Sequence, residues 1–352
     1  MPKISVVIPI HNTRSFLARC LDSVLAQSFS DWECILVNDG STDGSAAICE
    51  AYCRQDGRFH LENQCNQGSA AARNRGIELA RGEYLLFLDS DDAWPSCLLQ
   101  TVVDAQQARP EDLVLWRFTS QQEELPAEGC TFIPAARQQA GRLYLESCLY
   151  YVWNKLFHLD VIRQCQLTFP AGITYGEDVQ FAMEYLCHWF RLHPDAAFLV
   201  SERPLYYYEG ENEGSVTYRL KPCYCENEIL LTGRVLDWFT RDFPAPDAGF
   251  QHLLIHLLKT IAGGLAVDLE QPKGKNIARS HLAHPTVQRL IALAREQGCY
   301  SPFLFFMRSG FAVAAGRLGR CMLRDSRLYQ RVYWAGWHLR RLRTGQKPPV
   351  IL

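Results

Sequence analysis

Along the first third of the chain, short unbroken apolar runs alternate with longer segments whose apolar positions recur at helical spacing. Ile4–Ile10 is a β-branched run, Ser15–Gln27 has helical periodicity, and Cys34–Val37 is apolar again before Asn38-Asp39-Gly40. Asp43 stands where it can cap a helix over residues 44–54, Phe59–Leu61 suits a short third strand, and Ser69–Ala80 is an alanine-rich helix closed by Gly82. Tyr84–Leu88 reads as a fourth strand, a helix follows Pro95, and a strand spans Leu113–Phe118. The predicted order is β-α-β-α-β-α-β-α-β. Strands that are apolar on both faces need cover on both, so the pattern predicts an α/β fold with a mainly parallel sheet and helices on both sides; a period of two would mean one-sided burial. Ligands of such sheets bind beyond the carboxyl ends of the strands.

Residues 121–139 are polar and contain proline, which reads as an excursion into a second half of the domain. Segment 150–218 mixes aromatic residues, an acidic site and short strands such as Leu205–Tyr208. From about residue 218 the spacing is helical to the end, with breaks near Pro244–Gly249, Gln271–Lys275 and Gly298–Pro302. The expected organisation is therefore 1–118, 119–218 and a helical C-terminal region over 219–352. A length of 352 residues fits about two domains, and 48% hydrophobic with 21% charged residues excludes disorder, collagen and coiled coil.

The net charge of −2 conceals an asymmetry. Residues 1–118 carry ten basic and sixteen acidic side chains, 119–300 sixteen and twenty-one, and 301–352 ten and one. An acidic body argues against nucleic-acid binding, while the basic end suits either an anionic surface or a solvated tail. Fourteen irregularly spaced cysteines do not make a disulfide framework, and the pairs Cys49/Cys53 and Cys223/Cys225 lack matching second pairs, which speaks against zinc. The N-terminus enters a strand-like run without the segments of a signal peptide, so a cytoplasmic protein with reduced thiols is expected. No run reaches the roughly 18 uninterrupted apolar residues of a membrane span. Pro302–Ala315 comes nearest, and Arg308 interrupts it.

Four polar clusters follow the predicted strands: Pro9-Ile10-His11-Asn12, Asn38 to Asp43, Asn66-Gln67-Gly68 leading into Arg73-Asn74-Arg75-Gly76, and Asp89-Ser90-Asp91-Asp92. Taken singly, Asp-Gly turns and Ser/Thr/Asp caps are common, and Asp39 to Asp43 can serve as a cap or as a site. Three carboxylates within four residues repel one another unless a cation or solvent offsets their field. Aspartates one residue apart can take two positions on a hard divalent ion that also binds phosphate, which makes Asp89 and Asp91 candidate ligands of Mn2+ or Mg2+; a solvated acidic turn is the plainer alternative. Neither Gly-x-Gly-x-x-Gly after the first strand nor Gly-x-x-x-x-Gly-Lys-Ser/Thr occurs, which removes the main support for dehydrogenase and P-loop readings. A diphosphate would then be held by the aspartate-bound metal together with cations such as Arg73.

Ile4 to Asn12, Val37 to Ser45, Asn66 to Gly76 and Phe87 to Asp92 resemble, in order, the signature runs of family 2 glycosyltransferases. The likeness is close over 1–118 and looser to about 218. It implies a GT-A-type, Rossmann-like fold, a nucleotide-diphosphate sugar donor and an inverting reaction. It assigns Asp39 to the nucleotide base, Asp89 to the ribose and metal region, Asp91 to the metal, and Arg73 to the nucleotide and phosphates. Pro9, His11 and Asn12 join the donor-binding set; His11 stands where the family usually has Tyr or Phe, so an edge contact to the base replaces stacking.

Trp153 to Phe157 and Tyr175 to Phe181 are similar to the Asn-Lys-Leu and Gly-Glu-Asp-x-x-Phe pair of polysaccharide-building members. There the Asp is the general base, so the resemblance implies catalytic Asp178 with Glu177 beside it. Gly176 before a helix lets both carboxylates sit in its first turn, where the helix dipole favours them, and that preference alone would also explain the pair. Lys155 is either a diphosphate contact or a surface lysine. Displacement at the anomeric carbon requires a base on the acceptor hydroxyl and charge stabilisation on the departing diphosphate. These tasks fall to Asp178 and to the ion at Asp89 and Asp91. The resemblance points to a UDP-sugar donor and to a glycan or lipid-linked oligosaccharide acceptor in surface polysaccharide synthesis. Competing readings are a catalytically silent nucleotide-sugar-binding protein and a sugar-nucleotide pyrophosphorylase. The latter should carry a glycine- and lysine-bearing loop after the first strand, and residues 9–12 do not provide one.

In 327–343, Leu328, Val332, Ala335, Leu339 and Leu342 form one helical stripe beside several arginines, with Trp334 and Trp337 adding amphipathic rings. Such a segment can lie on an anionic leaflet through 301–352 or pack against the catalytic domain.

Overall fold

The computed structural model describes residues 2–170, 176–210, 224–243, 248–299, 301–308 and 311–324. The chain divides into two compact units, one of residues 1–137 with 146–218, the other of 138–145 with 219–352.

In the first unit, β1 (Ile4–Ile10), β2 (Trp32–Asp39), β3 (Phe59–Gln64) and β4 (Tyr84–Phe87) run parallel in the order β3-β2-β1-β4, and β7 (Phe157–His158) adds antiparallel to β4. Every residue of β2 and all of β1 except Pro9 are buried, the two-sided cover that the unbroken apolar runs predict. The connections are α1 (Arg14–Leu25), α2 (Ser45–Gln55) and α3 (Ser69–Leu79), and α4 (Leu98–Ala108) follows β4. Helix α3 lies close on the sheet: a Cβ at Gly76 would sit 2.2 Å from Val7 Cγ1.

The chain steps outward from β1 through β2 to β3, then crosses back to place β4 on the other side of β1. Loops leaving β1 and β4 therefore diverge, and a crevice opens at this switch point. The β1–β4 pairing ends at Val7 with Phe87, so Pro9 stands where the sheet is already opening.

One strand goes elsewhere. β5 (Leu113–Thr119), expected to extend the parallel sheet, pairs instead with β8 (Phe198–Tyr207), which also pairs with β6 (Phe132–Ala135) in a separate three-stranded sheet. The outer edge of β4 is taken by β7, and β5 makes two register shifts along β8. Helices α6 (Leu159–Gln164) and α7 (Glu177–Leu192) complete this unit.

The second unit is helical: α5 (Ala140–Leu145), α8 (Tyr224–Arg241), α9 (Ala248–Asp268), α10 (Gly274–Leu282), α11 (Pro285–Glu296), α12 (Pro302–Arg308) and α13 (Ala312–Arg324). The three expected breaks separate α8 from α9, α9 from α10 and α11 from α12. A further break at His284-Pro285 uses proline at the first helical turn and the His284 ring accepting from Thr286 N–H. Among the described residues, α9 is long and apolar enough to cross a membrane. Its stretch Gly249–Asp268 has a mean hydropathy of 1.3 and is 61% buried within the molecule, the position of a core helix. The expected stripe over 327–343 and Tyr175 lie outside the described residues.

Candidate active site

Three elements converge on one guanidinium. Arg73, on α3, is 5% exposed; its Nη2 donates to Asp89 Oδ1 at 2.8 Å and its Nη1 to Asp178 Oδ1 at 2.8 Å, with Glu177 Oε1 at 3.8 Å. Asp89 follows β4, and Asp178 lies in the first turn of α7. The sequence residues expected at the donor and at the base are thus brought together. Three carboxylates on one guanidinium leave a formal charge of −2, an arrangement that favours a further cation.

Packing sets Asp178 relative to the strand. Gly176 has φ +81°, a left-handed turn that glycine takes freely and that starts α7 directly at Glu177. One turn later, Phe181 stacks on Phe169 with ring centroids 4.1 Å apart and meets the edge of Phe87 at 5.9 Å. Phe87 ends β4 two residues before Asp89, and the Arg73 guanidinium lies 5.5 Å over the Phe169 ring. One aromatic cluster therefore carries both carboxylates. Burial pushes the Asp178 carboxyl up to about 7; Arg73 opposes this, and Glu177 and Asp89 add to it.

The acidic loop is fixed from behind. Asp92, expected only as part of a repelling cluster, is turned inward at 1% exposure and accepts from the Tyr206 hydroxyl at 2.6 Å and from Glu209 N–H at 2.8 Å. The Tyr206 oxygen accepts in turn from Asp89 N–H at 3.3 Å. Arg19 donates to the Asp91 carbonyl at 2.5 Å and pairs with Glu209 at 3.0 Å, and Thr13 donates to Ser90 Oγ at 3.0 Å. Arg19, Tyr206 and Glu209 are missed by sequence reasoning, since no local spacing links positions on α1, on β8 and just after β8 to the loop after β4. Asp92 is turned inside, whereas Asp89 and Asp91 are partly exposed on an anchored turn, with hard oxygen atoms of the kind that suit Mn2+ or Mg2+.

At the β1 and β2 ends, His11 and Asn12 are exposed. Asn12 N–H donates to Ser41 Oγ at 3.1 Å and its Oδ1 accepts from Thr42 N–H at 2.8 Å, while His11 Nδ1 lies 2.8 Å from the Asp39 carbonyl. Asn66 Nδ2 stands 3.3 Å from His11 Nε2. Asp43 serves both flanking helices, accepting from Ser45 N–H at 3.0 Å and Arg14 N–H at 2.9 Å.

Two expectations need correction. Asp39 is 3% exposed, and its carboxylate accepts from Gln64 Nε2, Gln67 N–H and Gly68 N–H, each at 2.8 Å. Through these three bonds it holds the loop entering α3, turned inward where the resemblance implies a contact to the base. Lys155 is not a surface lysine: it is fully buried, and its three protons go to the carbonyls of Cys148 and Tyr151 and to Asn154 Oδ1. Burial lowers its ammonium to about 7. Trp153, Asn154 and Leu156 are buried with it, so the Asn-Lys-Leu run is an internal anchor. A concavity of about 320 Å³ lined by Thr101, Arg109, Cys130 and Phe132 shares no residue with the Arg73 cluster.

Residues 5–163 match glycosyl transferase family 2. EpsJ of Bacillus subtilis (strain 168), an uncharacterized glycosyltransferase, is 33% identical over 189 residues, covering 51% of this chain and 55% of that one. The poly(ribitol-phosphate) beta-glucosyltransferase of Bacillus spizizenii is 30% identical over 187 residues, covering 51% of this chain and 29% of that one. The chain thus spans about half or less of these relatives. S. aureus TarS 1–349, solved in complex with UDP-GlcNAc, superposes with a TM-score of 0.66 at 21% identity, covering 92% of this chain and 91% of that one. That likeness shows a shared GT-A-type fold.

Proposed function

We propose, on the premise that this chain carries a family 2 glycosyltransferase domain over residues 5–163, that it transfers a sugar from a UDP-sugar to a glycan or lipid-linked acceptor in surface polysaccharide synthesis, with inversion and dependent on a divalent metal. The observation that carries this reading is the Arg73 bridge. Two 2.8 Å contacts across one rigid fork keep the Asp89 and Asp178 carboxylates within about 8 Å of each other. A donor held at Asp89 and a hydroxyl activated at Asp178 then meet over one anomeric carbon.

In this reading Asp178 takes the proton of the acceptor hydroxyl, the oxygen bonds to the anomeric carbon from the face opposite the diphosphate, and the bond to the diphosphate breaks with its electron pair leaving on the nucleotide. Asp89 and Asp91 would hold the Mn2+ or Mg2+, which when bound offsets the charge of the leaving diphosphate. Arg73 keeps Asp178 in place and adds positive charge on the same side. His11, Asn12 and Asn66 offer polar edges to the base beyond the β1 end. The UDP choice draws on TarS, which has this fold and was solved with UDP-GlcNAc, and the setting of polymer glycosylation on the poly(ribitol-phosphate) glucosyltransferase. In the same reading, residues 301–352 meet an anionic leaflet at the inner face of the cell membrane. Support comes from their ten basic side chains against one acidic and from Phe305 and Phe311, 64% and 57% exposed.

Thermal shifts with nucleoside diphosphates and their sugars, with and without Mn2+, test the donor site. The expected result is stabilisation by UDP compounds with metal; no shift with any nucleotide overturns the reading. Flotation with anionic liposomes, with and without residues 301–352, tests the surface, and equal recovery at low salt rejects it.

A further inference from the structure

The helical unit holds a second cluster of ligand-bearing side chains that the transfer reaction does not use. Cys225 near the start of α8, Asp268 at the end of α9 and His281 in the last turn of α10 bring one donor atom each within 4.8 Å of one another. We propose that these three residues form a site for a zinc-type divalent metal ion that ties the ends of the three helices together. It is independent of the donor-site metal.

The donor set decides the metal class. One sulfur, one oxygen and one nitrogen match the ligands that zinc takes, whereas Mg2+, Ca2+ and Mn2+ favour oxygen alone. A thiolate, a carboxylate and a neutral imidazole sum to −2, which a divalent ion neutralises in a setting where Cys225 and Asp268 are buried. His281 Nδ1 stands 2.7 Å from Asp268 Oδ2, so the nitrogen and oxygen donors are already side by side. His281 is 14% exposed, and Glu226 Oε1 stands 3.6 Å from its Nε2 with 61% of that side chain exposed. The cluster therefore has a mouth with an acidic residue at it, placed to guide an ion or to complete the ligands.

The approach of the thiol is built into α9. A Cβ at Gly264 would fall 2.7 Å from Cys225 Sγ, so only glycine there admits the sulfur at that depth. A nucleophilic Cys-His-Asp arrangement is a poor description, because Cys225 is buried and a buried thiol is inert toward substrates. Paired cysteines are the spacing that marks zinc in a sequence. This set contains one cysteine, and its other members stand 43 and 56 positions further on, where only the helix topology assembles them.

The test is Co2+ substitution in the full chain after chelator treatment. The expected result is a thiolate-to-cobalt charge-transfer band in the near ultraviolet with strong visible bands, at one Co2+ per chain and displaced by Zn2+. The band should persist in Asp91→Ala, which separates it from the donor-site metal, and vanish in Cys225→Ser. His281→Ala should weaken Zn2+ affinity at least about tenfold. Absence of the band in the wild-type chain, which requires no variant to fold, overturns the proposal and leaves Asp268 and His281 as a hydrogen-bonded pair only. A band that survives in folded Cys225→Ser overturns the assignment of the sulfur ligand.

Discussion

Asp178→Asn separates catalysis from binding. The amide keeps the size of the carboxylate and an oxygen that can accept from Arg73 Nη1, and it deletes one charge. Arg73 retains Asp89 at 2.8 Å and Glu177 at 3.8 Å, so the 5%-exposed guanidinium is not stranded. The Asp178 side chain is 22% exposed, and the lost attraction is worth about 1 kcal/mol once solvent screening is allowed for. A general base contributes roughly 10²–10⁴ in rate, about 3–5 kcal/mol of barrier. The effect on rate therefore exceeds the effect on stability. Turnover measured as UDP release at saturating donor should fall by that factor, while donor affinity by calorimetry in Mn2+ stays within about threefold.

The same substitution has a pH signature. Burial raises Asp178 to about 7, so below that the group is protonated and cannot accept the hydroxyl proton. The wild-type kcat/KM should climb about tenfold per pH unit below about 6 and level off above about 8, and the variant should lose this limb. A donor affinity that falls as far as the rate, or an acidic limb unchanged in Asp178→Asn, refutes the assignment.

Tyr206→Phe removes the hydroxyl between Asp92 and Asp89 N–H; metal-dependent donor affinity should drop about 10–100-fold, read by Mn2+ titration, and equal affinity would sink the role of this residue in holding the loop. Lys155→Met deletes a buried ammonium without opening a large cavity. Stability in urea should change while the folded protein binds donor as before, and a tenfold affinity loss at unchanged stability would restore the diphosphate contact. Gly76→Ala drives a Cβ into Val7 and lifts α3 with its Arg73. A loss of about 1–3 kcal/mol in unfolding free energy is expected, and wild-type stability would contradict the close approach.

The parts of this fold that are legible in the sequence are those fixed by local burial. β1, β2 and β4 sit between two layers of helices, and their unbroken apolar runs say so without knowledge of any partner. β5 is equally apolar at its start, but apolarity does not specify which edge a strand takes, and β7 and β8 decide that from far along the chain. Glu33 is illegible for the same reason: it is buried in an apolar run because Ser5 and Arg81 arrive to bond it.

The site repeats this division. Asp89, Asp91, Arg73 and Asp178 are identifiable as chemistry-bearing residues from their motifs, whereas Asp39 and Lys155 occupy motif positions and serve inward, which only their hydrogen bonds reveal. Motif spacing fixes where a side chain leaves the backbone, and the tertiary fold fixes what it meets. Arg73 joins both levels. Its partners lie 16 and 105 residues away, and a planar fork can address two carboxylates from separate elements at fixed angles where a lysine, a single point charge, could not. A carboxylate from the sheet and one from α7 can share a half-buried site because arginine stands at position 73. The strand tip that carries Asp89 and the helix that carries Asp178 are thereby one construction.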